Sequence, residues 1–240
     1  MTTEEFSNEF DVLVDSYRRF KDFDSKENLD SLEFSEYEKS IFLTEAQESI
    51  IMEYYNGKNY YGDSFEKTEE IRRSLDALVK TQVSREQITP KPTSGLSSKS
   101  VFYNLPANIW FITYESITFD DSSLGCKNGT LVPVIPVKQD DFYRICMNPF
   151  KKYNKRRALR LDVSSNIVEI LSNYNIGEYL IRYIEKPSPI ILVNLPDNIF
   201  INGVNTITEC ALNTIIHRTI LERAVKKALI SKISNINKQA

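Results

Sequence analysis

The chain has 240 residues, of which 41% are hydrophobic and 26% charged, a balance that suits a globular protein with one large core or two small ones. Seven glycines and three cysteines exclude a glycine-rich repeat and a disulfide-dense scaffold. The net charge of −3 is unevenly spread: residues 1–95 carry 21 acidic and 12 basic residues, whereas residues 96–240 carry 12 and 18. Halves of opposite sign suggest that each meets a different surface.

The opening "MTTEEFSNEF" is acidic and polar, unlike a signal peptide. Phe6, Phe10, Leu13, Tyr17 and Phe20 recur at helical spacing, a largely aromatic stripe that something must cover, and Phe6, Phe10, Tyr17 and Phe20 are candidates for a helix between subunits. Ser35 and Glu38 make a capping box. Leu43, Ala46, Ile50 and Tyr54 then follow on one helical face, and Asn56-Gly57 supplies a stop. Asp63 with Glu66 reads as a further cap, with Ile71, Leu75, Leu78 and Gln82 continuing that helix. The short "GKNYYGD" would fold the second and third helices into an antiparallel pair. Residues 1–88 are thus expected to form a three-helix region.

Residues 89–100, "TPKPTSGLSSKS", read as a linker or a long loop. Beyond it come short β-branched and aromatic runs: "NIWFITYESITF", "TLVPVIPV", "RALRLDV", "NIVEIL", "EYLIRYIE" and "PIILV". Pro133, Pro136, Pro187 and Pro189 favour strand starts, edges or bulges. The end is helical again: Thr206 and Glu209 suit a cap, and Leu212, Ile216, Ile220, Ala224, Ala228 and Ile233 run along one side. The fold expected is α+β: an N-terminal three-helix region, a mostly antiparallel β-rich domain over 101–240, and a long C-terminal helix within that domain. "PIILV" is the longest apolar run and falls far short of the ~20 residues of a membrane span.

Residues for chemistry are scarce. His217 stands alone, with no helical partner spaced for a metal or a catalytic triad. Asp120-Asp121 and Asp140-Asp141 are paired acids, but "DDSS" reads as a turn and "KQDDFYRI" as the cap of a short helix. Cys126, Cys146 and Cys210 show neither metal spacing nor close pairing, and no cofactor is expected. The sharp electrostatic feature is "NPFKKYNKRRALR", in which Lys151, Lys152, Lys155, Arg156, Arg157 and Arg160 fall within ten residues, interleaved with Phe150 and Tyr153. Such a cluster suits phosphates, an acidic protein surface or a solvated loop alike.

The arm "SLEFSEYEKSIFLTEAQESIIMEYYNG", the following "GDSFEKTEEIRRSLDALV", the central "VKQDDFYRICMNPFKKYNKRRALRLDV" and the C-terminal "CALNTIIHRTILERAVKKALI" resemble ring (connector) virion proteins of crAss-like and related large-genome tailed bacteriophages, over most of residues 29–230. The resemblance implies a structural subunit and no enzyme. It implies a homo-oligomeric ring, commonly twelve-fold, between portal and tail, made in the host cytoplasm and built into the virion neck. Its expected partners are its own copies, the portal protein and other ring or tail proteins, with DNA a possible contact in the lumen and no membrane. A minor capsid or ejected cargo protein, or a DNA-binding factor outside the virion, are the alternatives.

Overall fold

The computed structural model describes residues 1–21, 33–57, 69–93, 95–97 and 99–239. The chain divides into two units. Unit 1 joins residues 1–78 to 187–240, and unit 2 is the continuous segment 79–186. The division differs from the one expected from sequence, because the C-terminal helix belongs with the N-terminal helices rather than with the sheet.

In unit 1, helix α1 spans Thr3–Lys21, α2 spans Glu36–Asn56, α3 spans Glu69–Leu75 and α5 spans His217–Gln239. Helix α2 begins as its sequence dictates. The Ser35 hydroxyl accepts from the Glu38 amide at 3.3 Å, and the Glu38 carboxylate accepts from the Ser35 amide at 2.9 Å. It stops at Gly57, whose φ of 67° is left-handed and whose amide bonds back to the Glu53 carbonyl. Among the described residues of 1–78 there are three α-helices, α1 to α3. The third has only seven residues, and α2 packs against α5. The Asp63–Glu66 cap and, after Gly57, the rest of "GKNYYGD" lie outside the described residues.

Buried Phe6, Phe10 and Val14 line one side of α1, which contacts α2 and α5. Lys39, almost wholly buried on α2, ties the helices together through Asp11 at 2.7 Å, Glu36 at 2.8 Å and the Ser7 hydroxyl at 3.1 Å. Burial pulls the Lys39 pKa down, but these two carboxylates outweigh it and leave the pKa raised.

The expected strand "PIILV" forms only an isolated antiparallel bridge, Ile191 with Thr208, and is otherwise held by a helix. The Thr44 hydroxyl accepts from the Ile190 amide at 3.0 Å, Ser40 accepts from the Leu192 amide at 3.0 Å, and Gln47 donates to the Ser188 carbonyl at 2.9 Å. Side chains of α2 therefore satisfy backbone groups that a sheet would otherwise take. The C-terminal helix also starts later than Thr206 and Glu209 suggest. Asn213 caps the turn that leads into it, accepting from the Ile215 amide at 3.1 Å.

Unit 2 is a seven-stranded sheet in the order β1-β7-β3-β4-β5-β6-β2. Its strands are β1 Val79–Ser84, β2 Val101–Asn104, β3 Ile109–Phe119, β4 Leu131–Pro136, β5 Ala158–Ser164, β6 Ile167–Leu171 and β7 Ile176–Glu185. All neighbours pair antiparallel except β4 and β5. The sheet curls until Tyr103 of β2 and Tyr179 of β7 bring their rings within 5.1 Å around a shared core that includes Ile117, Phe119, Val132, Val168, Ile170 and Ile181. The α+β class and the mostly antiparallel sheet are as expected.

Strand β4 shows why its prolines are tolerated. Leu131 to Pro133 pair only with β3, and Val134 to Pro136 pair only with β5. Each half has one neighbour, so a missing amide need break no ladder bond.

The segment 89–100 is no linker between units. It lies within unit 2, where the Leu96 amide donates to Glu169 at 2.7 Å, Ser97 donates to the Ser172 carbonyl at 3.1 Å and Lys91 donates to the Ser100 carbonyl at 2.6 Å. Gly95 has φ 39°, and a Cβ there would collide with the Ser100 hydroxyl.

Candidate assembly interface

A parallel strand pair forces the chain to leave the sheet and return. Between β4 and β5 it does so through residues 137–157. A short 3₁₀ turn leads into helix α4, Phe142–Met147, and a loop follows. The inner face of this excursion is anchored: Val137, Phe142, Ile145 and Cys146 pack on Tyr153, Leu159, Leu161 and Leu171. The loop is shaped by two asparagines. Asn148 accepts from the Phe150 amide at 2.9 Å, and Asn154 accepts from the Arg156 amide at 2.8 Å.

The outer face is unusual for a soluble surface. Phe150 is 82% exposed, Tyr143 71% and Met147 65%. Beside them stand Lys151, Lys155, Arg156 and Arg157, none of which pairs with a carboxylate among the described residues. Lys152 lies over the Tyr153 ring at 5.3 Å. The excursion carries seven basic and two acidic residues, which equals the whole net charge of unit 2.

Arg160 does not belong to this face. It points into unit 2, where its guanidinium lies 2.8 Å from Glu115 and 3.2 Å from Asp162. Tyr179 donates to the same Glu115 carboxylate. Burial pulls the Arg160 pKa down, but the carboxylates outweigh it and raise the pKa overall. Burial, together with the neighbouring Glu115 charge, pushes the Tyr179 pKa far up. Alternation along β5 separates Arg160 from the cluster: once the strand begins at Ala158, successive side chains face opposite sides.

The candidate helix between subunits is likewise divided. Phe6 packs 5.3 Å from the His217 ring and Phe10 lies edge-on to Phe34 at 5.6 Å, so both belong to the subunit's own core. Tyr17 is more than a third exposed, and the Phe20 side chain lies outside the described residues. The opposite face of α1 is open, with Glu4, Asn8, Asp11, Val12 and Asp15 all exposed.

The remaining sequence candidates have local duties. Asp121 caps the turn Ser122–Lys127 and binds Lys99 at 2.8 Å, while the Asn175 amide donates to it at 3.1 Å. Its pKa is held far below the ordinary carboxylate value, by Lys99 first and then by Ser123 and Asn175. Asp141 pairs with Arg144 at 2.7 Å. Cys126, Cys146 and Cys210 are free thiols. Among the described residues no cluster of three or more His, Cys, Asp or Glu is placed to hold a metal, and no helix is long and apolar enough to cross a membrane.

His217 is buried, with Nε2 donating to the Leu212 carbonyl at 2.9 Å and Nδ1 accepting from the Met1 amine at 2.8 Å. Its pKa is lowered, by burial first and also by the Met1 charge, against the raising effect of the Leu212 bond. The folded state therefore holds the ring neutral, and the unfolded chain binds a proton near pH 6.5 that the fold refuses. Stability is full above that pH and falls as the pH drops through it towards the folded pKa. Denaturant midpoints between pH 7.5 and 5 should show this loss, and His217→Phe should flatten it. The Asp121 contribution is lost only at much lower pH, below its ordinary value of 3.8.

These surfaces offer contact chemistry, cationic and aromatic on unit 2 and acidic on α1. The sequence profile of the phage tail ring protein 3/4 family matches residues 1–240, and the chain belongs to that family. "Ring protein 3" of Bacteroides phage crAss001 is 49% identical over 97% of this chain and 96% of its own length. "Ring protein 4/5" of the same phage is 34% identical over 95% of this chain and 92% of its own length. The chain is a structural ring protein of a crAss-like phage tail and a virion component, not an enzyme.

Proposed function

We propose that the chain assembles into a closed homo-oligomeric ring, twelve-fold as such rings commonly are, in the virion neck between portal and tail. There it is a passive conduit for the genome. The observation that carries this reading is the family match, which runs the full length of the chain to proteins themselves called ring proteins. Subunits made in the host cytoplasm would meet further copies of themselves, the portal protein and other ring or tail proteins.

The distribution of charge supports the reading. A closed ring repeats one heterologous contact, so each copy needs two different and complementary surfaces. Unit 1 holds 23 acidic and 15 basic residues, a net of −8, and unit 2 holds 10 and 15, a net of +5. The two signs thus fall on two compact units rather than being mixed across one.

Cryo-electron microscopy of the particle neck tests the proposal. The expected result is a twelve-fold ring of this chain stacked between portal and tail. A position outside the neck, or scattered single copies, would overturn it.

A further inference from the structure

We propose that the β4–β5 excursion of one copy docks on the exposed face of α1 in the next copy around the ring. The inference rests on the ring reading above and assigns its repeated contact to named residues.

On the donor side, the exposed Tyr143, Met147 and Phe150 offer an apolar tip, and the chain next to Phe150 carries the exposed Lys151, Lys155 and Arg156, which pair with no carboxylate among the described residues. Exposed aromatics flanked by cations match an interface with an apolar centre and a charged rim. The inner face of the excursion is packed on the sheet, so this tip is held in shape before any partner arrives. Preorganisation reduces the entropy lost on docking.

On the acceptor side, Glu4, Asn8, Val12 and Asp15 step along α1 by four, four and three residues, one face of a helix. Val12 is 66% exposed between the acids. This face lies opposite the buried Phe6, Phe10 and Val14, so the packing that anchors α1 also presents it. Glu4 and Asp15 are ~16 Å apart along the axis, a span that a ten-residue loop tip covers. Positive rim meets negative rim, and apolar tip meets apolar residue. The occupant is a second copy of this chain, because unit 1 carries the acidic excess that the excursion lacks.

The test uses full-length chains supplied from a plasmid during infection by a phage whose own copy of the gene is deleted. One variant carries Lys151→Glu and Arg156→Glu, and the other carries Glu4→Lys and Asp15→Lys. All four positions are exposed, and circular dichroism of each purified variant checks its fold. Each variant alone sets like charge against like at every contact, and copies per purified particle should fall at least tenfold. Supplied together, the two restore opposite charges only in alternation, so particles should regain the protein with the variants in a one-to-one ratio.

Normal incorporation of either variant alone overturns the docking while leaving the ring in place. Failure of the pair to rescue each other also overturns it, and loss of duplex-DNA binding by the first variant would then assign the excursion to the genome instead. If the wild-type chain restores particles in which it forms no ring, the ring reading fails and the docking fails with it.

Discussion

Replacing Arg160 with methionine should destabilise unit 2 by about 3–5 kcal/mol, the cost of leaving a buried charge without its partner. The stranded charge would be Glu115, almost fully buried on β3, which would retain only the Tyr179 hydroxyl. The pair itself is not the reason the fold is stable. Two ions taken out of water recover little beyond their desolvation cost. The double variant Glu115→Leu with Arg160→Met should therefore be less destabilised than Arg160→Met alone. Trp110, the single tryptophan, sits on β3 and reports unfolding of this unit by fluorescence in urea. Equal or greater damage in the double variant would show that the ion pair itself carries net stability. Lys151→Met, nearby in sequence but exposed on the excursion, should move the midpoint by less than ~0.5 kcal/mol.

Arg160 also shows where reading the sequence succeeds and where it stops. The runs that became β3 to β7 were legible because β-branched and aromatic residues crowd short segments between turn residues. The cap at Ser35 was legible because it depends on two side chains three residues apart, and the stop at Gly57 because glycine tolerates the left-handed turn there. What sequence conceals is partnership at long range. Gln82 continues a helical spacing from Ile71, yet the chain turns into β1 at Val79, where pairing with Ile184 and Tyr183 of β7 outweighs the local period. "PIILV" has the composition of a strand, but beyond the single bridge of Ile191 to Thr208 its neighbours are side chains: Thr44 and Ser40 of α2 accept from the Ile190 and Leu192 amides, and Gln47 donates to the adjoining Ser188 carbonyl. Those three buried polar residues blur the amphipathic pattern of α2, and only the folded chain explains them. The short β2 was missed because "VFYN" adjoins a serine-rich stretch and takes its register from β6.

The basic cluster was legible as a charge run, but its division was not. Periodicity does not say where a loop ends and an inward-facing strand begins. Five of its six cations lie in the loop, and Arg160 lies one strand position too far to join them.

Phe10→Ala should cost about 3–5 kcal/mol in the isolated subunit, because a fully buried aromatic leaves a cavity that its neighbours only partly close. Phe10 is fully covered by its own chain, with Phe34 edge-on beside it, on the buried face of a helix that contacts α2 and α5. Hydrogen exchange should therefore lose protection along α1 and the facing turns of α5, with no ring present. Tyr17→Ala, on a residue more than a third exposed, should cost under ~1 kcal/mol in the same measurement. The contrast separates two roles for the aromatic stripe. If the stripe served the interface between subunits, Phe10→Ala would leave the isolated subunit as stable as wild type and weaken assembly alone. The structure places Phe6 and Phe10 in the core and leaves Glu4, Val12 and Asp15 outside, so loss of subunit stability is the expected result. Lys39 adds a second hold on α1 through Asp11, which is why Phe10→Ala should loosen the helix without releasing it.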